Sequence, residues 1–188
     1  MLTVQIITTS TREGRKGATI ADWFVGRARA HGKFAVEPID LAQVNLPFLD
    51  EPNHPRLRQY THEHTKQWSA TISRADAYVF VLAEYNYNPP APFVNAIDYL
   101  LHEWSYKPCA FVSYGGVSGG TRAVQVAKLL VTGVKMMPMA EAVSIPFFSQ
   151  FIDKDTGAFK PPEMQEKAAV TMLDELLKWA TALKTMRA

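Results

Sequence analysis

Three short stretches of the chain gather side chains able to bind an anion or a flat polar ring. The first, Thr8-Thr9-Ser10-Thr11-Arg12-Glu13-Gly14-Arg15-Lys16-Gly17, lies between an apolar strand pattern and a helical one. Hydroxyls, backbone N–H groups and guanidinium groups at a helix start favour phosphate, because the first turn leaves its amides unpaired and carries partial positive charge. Arginine adds a planar pair of donors matched to phosphate oxygens. The placing of Gly14 and Gly17 fits neither the G-x-x-x-x-G-K-[ST] loop nor G-x-G-x-x-G. On composition alone, a solvated, capped basic turn is the equal alternative.

The second stretch is Glu84-Tyr85-Asn86-Tyr87-Asn88-Pro89-Pro90. It reads as a stiff rim whose amides, held by the prolines, bond the edge of a flat heteroaromatic ligand while a tyrosine covers its face. A proline-rich turn with surface tyrosines is the bland alternative. The third is Ser113-Tyr114-Gly115-Gly116-Val117-Ser118-Gly119-Gly120, whose paired glycines let a backbone come close to a ligand. Its G-x-S-x-G matches a serine-hydrolase elbow between strand and helix. That chemistry needs a histidine after the serine, and His31, His54, His62, His64 and His102 all precede Ser118.

Two smaller groups carry less. His62-Glu63-His64, with His54 nearby, lacks the H-E-x-x-H spacing and lies in a loop, so a solvated polar face is expected and no metal. Cys109 has Gly115 where a cysteine phosphatase has an arginine six residues on, and reads as a buried, inert strand residue.

The elements that must position these loops follow from apolar spacing. Leu2, Val4, Ile6 and Ile7 predict a first strand, and Ile20, Trp23, Phe24 and Ala28 a helix over residues 18 to about 31, stopped by Gly32. A strand over 34–41 precedes a long polar loop from 42 to about 62, a helix over 63–74 and a third strand over 77–82. A helix over 92–101, a fourth strand over 108–113, a helix over 120–131, a fifth strand over 134–139 and a last helix from about Pro162 complete the pattern. Short, continuously apolar strands alternating with helices predict an α/β protein with a five-stranded parallel sheet and helices on both faces. In such a sheet, ligands sit outside the carboxyl ends of the strands, where the three loops lie.

Composition sets the outer limits. The chain has 188 residues, 47% hydrophobic and 20% charged, which excludes a largely disordered protein. Its length falls within the ~100–200 residues of one domain, here residues 1–188. Twenty Lys+Arg against 18 Asp+Glu give +2, too balanced for a dedicated nucleic-acid binder and far from a strongly acidic docking surface. The single cysteine excludes an internal disulfide framework and a multi-Cys zinc site. No run approaches the ~18 apolar residues of a membrane span. Met1 leads straight into the first strand without a basic n-region, so a soluble cytoplasmic protein with no membrane partner is expected.

Taken in order, the motifs Ser10-Thr11-Arg12-x-x-Arg15, Glu84-Tyr85-Asn86-Tyr87-Asn88-Pro89 continuing to Asn95-Ala96-Ile97-Asp98, and Ser113-Tyr114-Gly115-Gly116-x-Ser118-Gly119-Gly120 resemble the NADPH-dependent FMN reductase family, flavodoxin-like proteins that include quinone and azo-dye reductases. The resemblance runs from Val4 to about Leu130. It implies a flavodoxin-like three-layer sandwich. It also implies bound FMN, its phosphate on Ser10, Arg12, Arg15 and Gly17 and its ring among Glu84, Tyr85, Asn86, Tyr87, Ser113, Tyr114, Gly115 and Gly116. NADPH or NADH would donate hydride, and quinones, azo compounds or free flavin would accept it, in a ping-pong cycle without a protein acid or base. The chain departs from the family pattern at Thr9, where a glycine is usual, at Ala83, where a proline is common, and at Val94, where a lysine is common. A flavodoxin-type electron carrier and a non-enzymatic flavin-binding or regulatory protein are the alternative readings; the +2 balance speaks against the carrier, which needs an acidic face.

A homodimer or homotetramer is also expected. Ile145-Pro146-Phe147-Phe148-Ser149-Gln150-Phe151-Ile152 is too apolar for a solvated loop, and Tyr99, Leu100, Leu101 and Trp104 add apolar surface after Pro92; the alternative is that the Phe147 segment folds back over its own sheet.

Overall fold

The computed structural model describes residues 1–187. Five helices of eight residues or more and a parallel sheet alternate along the chain: β1 (Leu2–Thr8), α1 (Gly17–His31), β2 (Phe34–Asp40), a short α2 (Leu41–Val44), α3 (Glu63–Ser73), β3 (Ala77–Ala83), α4 (Ala91–Asp98), β4 (Pro108–Tyr114), α5 (Thr121–Gly133), β5 (Met137–Pro138), β6 (Val143–Ile145) and α6 (Glu163–Lys184). The strand order is β2-β1-β3-β4-β5, with β6 also pairing β4, and every pairing is parallel. Gly32 ends α1 as the spacing predicts: it takes φ +73°, and its N–H donates to Arg29 O.

Two apolar layers flank the sheet, because successive strand residues point to opposite faces. Val4, Ile6, Val79, Val81 and Val112 meet Ile20 and Phe24 of α1 and Leu173 and Leu176 of α6. Ile7, Phe80, Leu82 and Phe111 meet Trp68 and Ile72 of α3, Phe93 and Ile97 of α4 and Ala127 of α5. Each fully buried large side chain of this kind contributes roughly 1.5–3 kcal/mol. Every residue of β3 and β4 is buried, which fixes the ends from which the second and third loops depart.

The fifth strand differs from the sequence expectation. Residues 134–136 form the turn that closes α5, with Lys135 at φ +61° and Met136 N–H donating to Val131 O. Only Met137–Pro138 pair with β4, at Pro108 and Cys109. Met137 and Met139 N–H donate to Lys107 O and Cys109 O, and Pro138 between them takes the position whose N–H would face the open edge, where a proline is tolerated. Pairing with β4 resumes at β6, where Val143, Ser144 and Ile145 lie opposite Val112, Ser113 and Tyr114. The helix expected over 92–101 likewise stops at Asp98 and gives way to turns.

The apolar segments expected to face a partner subunit are turned inward. Tyr99, Leu100, Trp104 and Ile145 are buried, and Phe148, Phe151 and Ile152 pack on the layer beneath α1 and α6. The Phe148 ring meets Tyr114 edge-on at 5.1 Å. The segment after β6 thus covers its own sheet, and of its aromatic residues only Phe147 is half exposed. Among the described residues, no helix is long and apolar enough to cross a membrane.

Candidate functional site

Because β1, β3 and β4 are neighbours in the sheet, the three loops leave its carboxyl edge side by side. The first is anchored by Thr9, whose N–H (3.2 Å) and Oγ1 (2.8 Å) both donate to Val81 O. Thr9 is fully buried, so the side chain that replaces the family's glycine points back into the sheet and leaves the loop mouth clear. Arg15 N–H donates to Arg12 O at 3.1 Å, and Gly14 takes φ +70°, which folds the loop back toward α1.

The start of α1 has donors in excess. Lys16, its N-cap, supplies no side-chain acceptor. Among the described residues, the N–H groups of Gly17, Ala18 and Thr19 meet no protein acceptor. Arg15 Nη2 bonds Asp40 Oδ2 at 2.5 Å, while its buried Nε has no partner. The Tyr114 hydroxyl is buried, equally unpartnered, and so close to Gly17 that a Cβ there would lie 2.5 Å from it. Burial, with the neighbouring Tyr85, raises the Tyr114 pKa well above its ordinary value, so the group stays a donor. Arg12 is exposed and, among the described residues, forms no ion pair. Buried donors without acceptors are costly unless something supplies the acceptor.

In the second loop, Tyr85 and Asn88 exchange backbone bonds (2.9 and 3.0 Å) around Asn86 at φ +52° and Tyr87 at φ +70°. Two central residues at positive φ make the tight turn of a hairpin, an unusual state for an aromatic residue. This reciprocal pair, together with Asn88 Nδ2 on Asn86 O, holds the turn, rather than the prolines. The Asn86 and Tyr87 N–H groups have no protein acceptor among the described residues. Ser10 Oγ and the Tyr85 hydroxyl lie 2.6 Å apart and join this loop to the first.

Glu84 ties the second loop to the third. Its N–H donates to Tyr114 O at 3.2 Å. Its carboxylate accepts from Ser118 Oγ (2.8 Å) and from the Arg122 and Ala123 N–H groups at the start of α5 (3.2 and 3.4 Å), and pairs with Arg122 Nε at 3.0 Å. That carboxylate is therefore fully engaged, and Ser118 serves it rather than a nucleophilic role. The Arg122 guanidinium also lies over the Tyr87 ring, 4.0 Å from its centroid.

The glycines of the third loop divide in two. Gly119 (φ +59°) and Gly120 (φ +85°) pack on their own chain, since a Cβ would meet Ser144 Oγ at 2.3 Å or Tyr114 N at 2.8 Å. Gly116 has open space around its Cα, and Gly115 N–H donates to Ile145 O. Ser113 is buried, with its hydroxyl donating to Gly119 O at 2.8 Å. Ser10, Arg15, Gly17, Tyr85 and Tyr114 thus converge, whereas Glu84 and Ser113 direct their side chains into the scaffold. The sequence reading did not single out Asp40 or Arg122. Asp40 ends β2 beside the first loop, and Arg122 follows the glycine pair by two residues. The His62 and His64 rings stack on each other, and His64 Nε2 meets Asp50 Oδ1 at 2.9 Å. Among the described residues no cluster of three metal-ligating side chains forms.

Comparison with known proteins bears on the family and the fold. Residues 2–150 match the family described as NADPH-dependent FMN reductase. An NAD(P)H-dependent FMN reductase from Nectria sp. is 36% identical over 153 residues, 78% of this chain and 76% of its own length. One from Schizosaccharomyces pombe is 38% identical over 146 residues, 76% and 73% of the two chains. The solved structure of a flavoenzyme NAD(P)H:(acceptor) oxidoreductase from Paracoccus denitrificans superposes with a TM-score of 0.76 over 97% of this chain and 98% of that one, at 21% identity, which shows a shared fold. The chain belongs to the NADPH-dependent FMN reductase family.

Proposed function

We propose that this protein binds FMN at the carboxyl edge of its sheet and uses NAD(P)H to reduce small acceptors of the quinone class, with azo compounds and free flavin as further acceptors. The observation that carries the reading is the set of unpartnered donors at the start of α1: Arg15 Nε, the Tyr114 hydroxyl and the first three N–H groups of the helix. A phosphate supplies the acceptors these groups lack, so the residues present fit the group. Arg12 and Ser10 complete the phosphate side. The Tyr85–Tyr87 turn and the Tyr114–Gly116 backbone border the ring, the free Asn86 and Tyr87 amides facing its polar edge.

Bound flavin supplies two-electron hydride chemistry, while the protein binds, orients and shields. Tyr114 remains protonated and acts as a hydrogen-bond donor, and no side chain is assigned as general acid or base. Phe48, 84% exposed, stands beside a groove of about 440 Å³ lined by Leu41, Leu46, Pro47, Ala91 and Pro92. Knob and hole on one surface patch suit a two-fold contact between copies. Light scattering should then give a multiple of 21.0 kDa.

The direct test is purification followed by titration of apo-protein with FMN and assay of NADPH oxidation with a quinone. A yellow protein that turns over supports the reading. A colourless protein that does not quench FMN fluorescence removes it.

A further inference from the structure

Arg122 is the one cation among residues 83–91, 113–122 and 145–152, the segments that surround the second and third loops. Its side chain is fixed from two sides: Nε sits 3.0 Å from Glu84 Oε1, and the guanidinium plane covers Tyr87 at 4.0 Å. The side chain is still 41% exposed, and its two terminal nitrogens have no acceptor among the described residues. Glu84 meets only Nε and leaves the two terminal nitrogens open, and the positive end of α5 beside it adds to the local field. A guanidinium already ordered by packing loses little freedom when an anion binds its open fork.

We infer that Arg122 anchors a phosphate group of the pyridine-nucleotide donor at the rim of the ring site. The inference rests on the functional reading above, in which Arg12 and Arg15 serve the flavin phosphate at the opposite side of the site. A pyridine nucleotide carries its own phosphates and needs a separate cation, and Arg122 is the one that borders the Tyr87 turn. Two phosphate sources are possible, the 2′-phosphate of NADPH and the pyrophosphate common to NADPH and NADH.

The test compares wild type, Arg122→Ala and Arg122→Lys with three donors: NADPH, NADH and 1-benzyl-1,4-dihydronicotinamide, which has the reacting ring and no phosphate. In Arg122→Ala the KM for NADPH should rise about tenfold or more, the loss expected for one charge-assisted bond. The phosphate-free donor and the FMN dissociation constant should move by less than about twofold, since neither uses that bond. Lysine, which keeps the charge and loses the planar fork, should restore part of the KM. A KM rise confined to NADPH identifies the 2′-phosphate, and an equal rise for NADH the pyrophosphate. A parallel loss with the phosphate-free donor or in FMN affinity would show that Arg122 acts only by holding the Tyr87 turn, and overturns the inference, as does an unchanged NADPH KM. Calorimetry of apo-protein with adenosine 2′,5′-bisphosphate and with ADP judges Arg122 independently of flavin. Binding of either that is lost in Arg122→Ala supports the anchor, and no binding to wild type refutes it, even if the flavin reading fails.

Discussion

Ser10 Oγ and the Tyr85 hydroxyl meet at 2.6 Å across a sequence separation of 75 residues. Ser10 is fully buried and Tyr85 partly exposed, so the bond fixes the rim tyrosine to the floor of the first loop. Tyr85→Phe removes this tether without opening a core cavity. One hydrogen bond is worth about 1 kcal/mol, so the FMN dissociation constant should rise roughly twofold to tenfold. The thermal midpoint of the apo-protein should stay nearly constant, and fluorescence titration with a melting curve reads both.

Arg12→Ala should weaken FMN binding about tenfold or more, the loss of a charge-assisted bond worth roughly 1.5–3 kcal/mol. Arg12 is exposed and, among the described residues, takes no part in an ion pair, so folding should be unaffected. An unchanged dissociation constant would place the phosphate elsewhere.

Gly17 and Tyr114 should behave as a coupled pair. A Cβ at position 17 would lie 2.5 Å from the Tyr114 hydroxyl but 3.4 Å from Cζ. Gly17→Ala should therefore cost about 1–3 kcal/mol through overpacking. Tyr114→Phe removes the obstructing oxygen, so the double variant should be more stable than Gly17→Ala alone. Urea unfolding of the four proteins measures this coupling.

Lys107 links stability to pH. It is buried, with Nζ donating to Ile72 O (3.0 Å), Ser73 O (3.3 Å) and the Tyr78 hydroxyl (3.0 Å). Burial, with Arg187 nearby, lowers its pKa from 10.5 to about 8. Between about 8 and the ordinary value near 10.4 the unfolded chain binds more protons than the folded one, so rising pH stabilises the fold across that window. The penalty, on the order of 3 kcal/mol, is fully present below about pH 8. In urea, the stability of wild type relative to Lys107→Met should rise between pH 7.5 and pH 10; a flat difference would refute the shift.

If donor and acceptor occupy the same open place beside Gly116 and Tyr87 in turn, initial rates should give parallel double-reciprocal lines for NADPH and a quinone. Intersecting lines would require both to bind together.

Much of the architecture was legible locally. Apolar residues at a period of two or about four report which side chains share a face, and that is enough to place β1, α1, β3, β4 and α6 and to stop α1 at Gly32. The same pattern misread residues 134–139, because a helix-closing turn followed by Pro138 also spaces apolar groups like a strand. It also assigned the residues after β6 to a partner, since hydrophobicity says that a segment will be covered without saying by what.

The sequence by itself determined the loop compositions and the sheet edge on which they lie, since both follow from residue type and local periodicity. Only the tertiary structure decided what each side chain meets. Arg15 turns one nitrogen to Asp40, 25 residues away, and keeps only the rest of its guanidinium for the site, while Glu84 is claimed by α5, 38 residues on, so its carboxylate does not reach into the site as its motif suggested. Thr9 is harmless to the loop because Val81 O, 72 residues distant, accepts its hydroxyl. Such partners come from parallel strands joined by helical crossovers. Spacing along one element carries no information about the side chains that a neighbouring strand brings to the same edge.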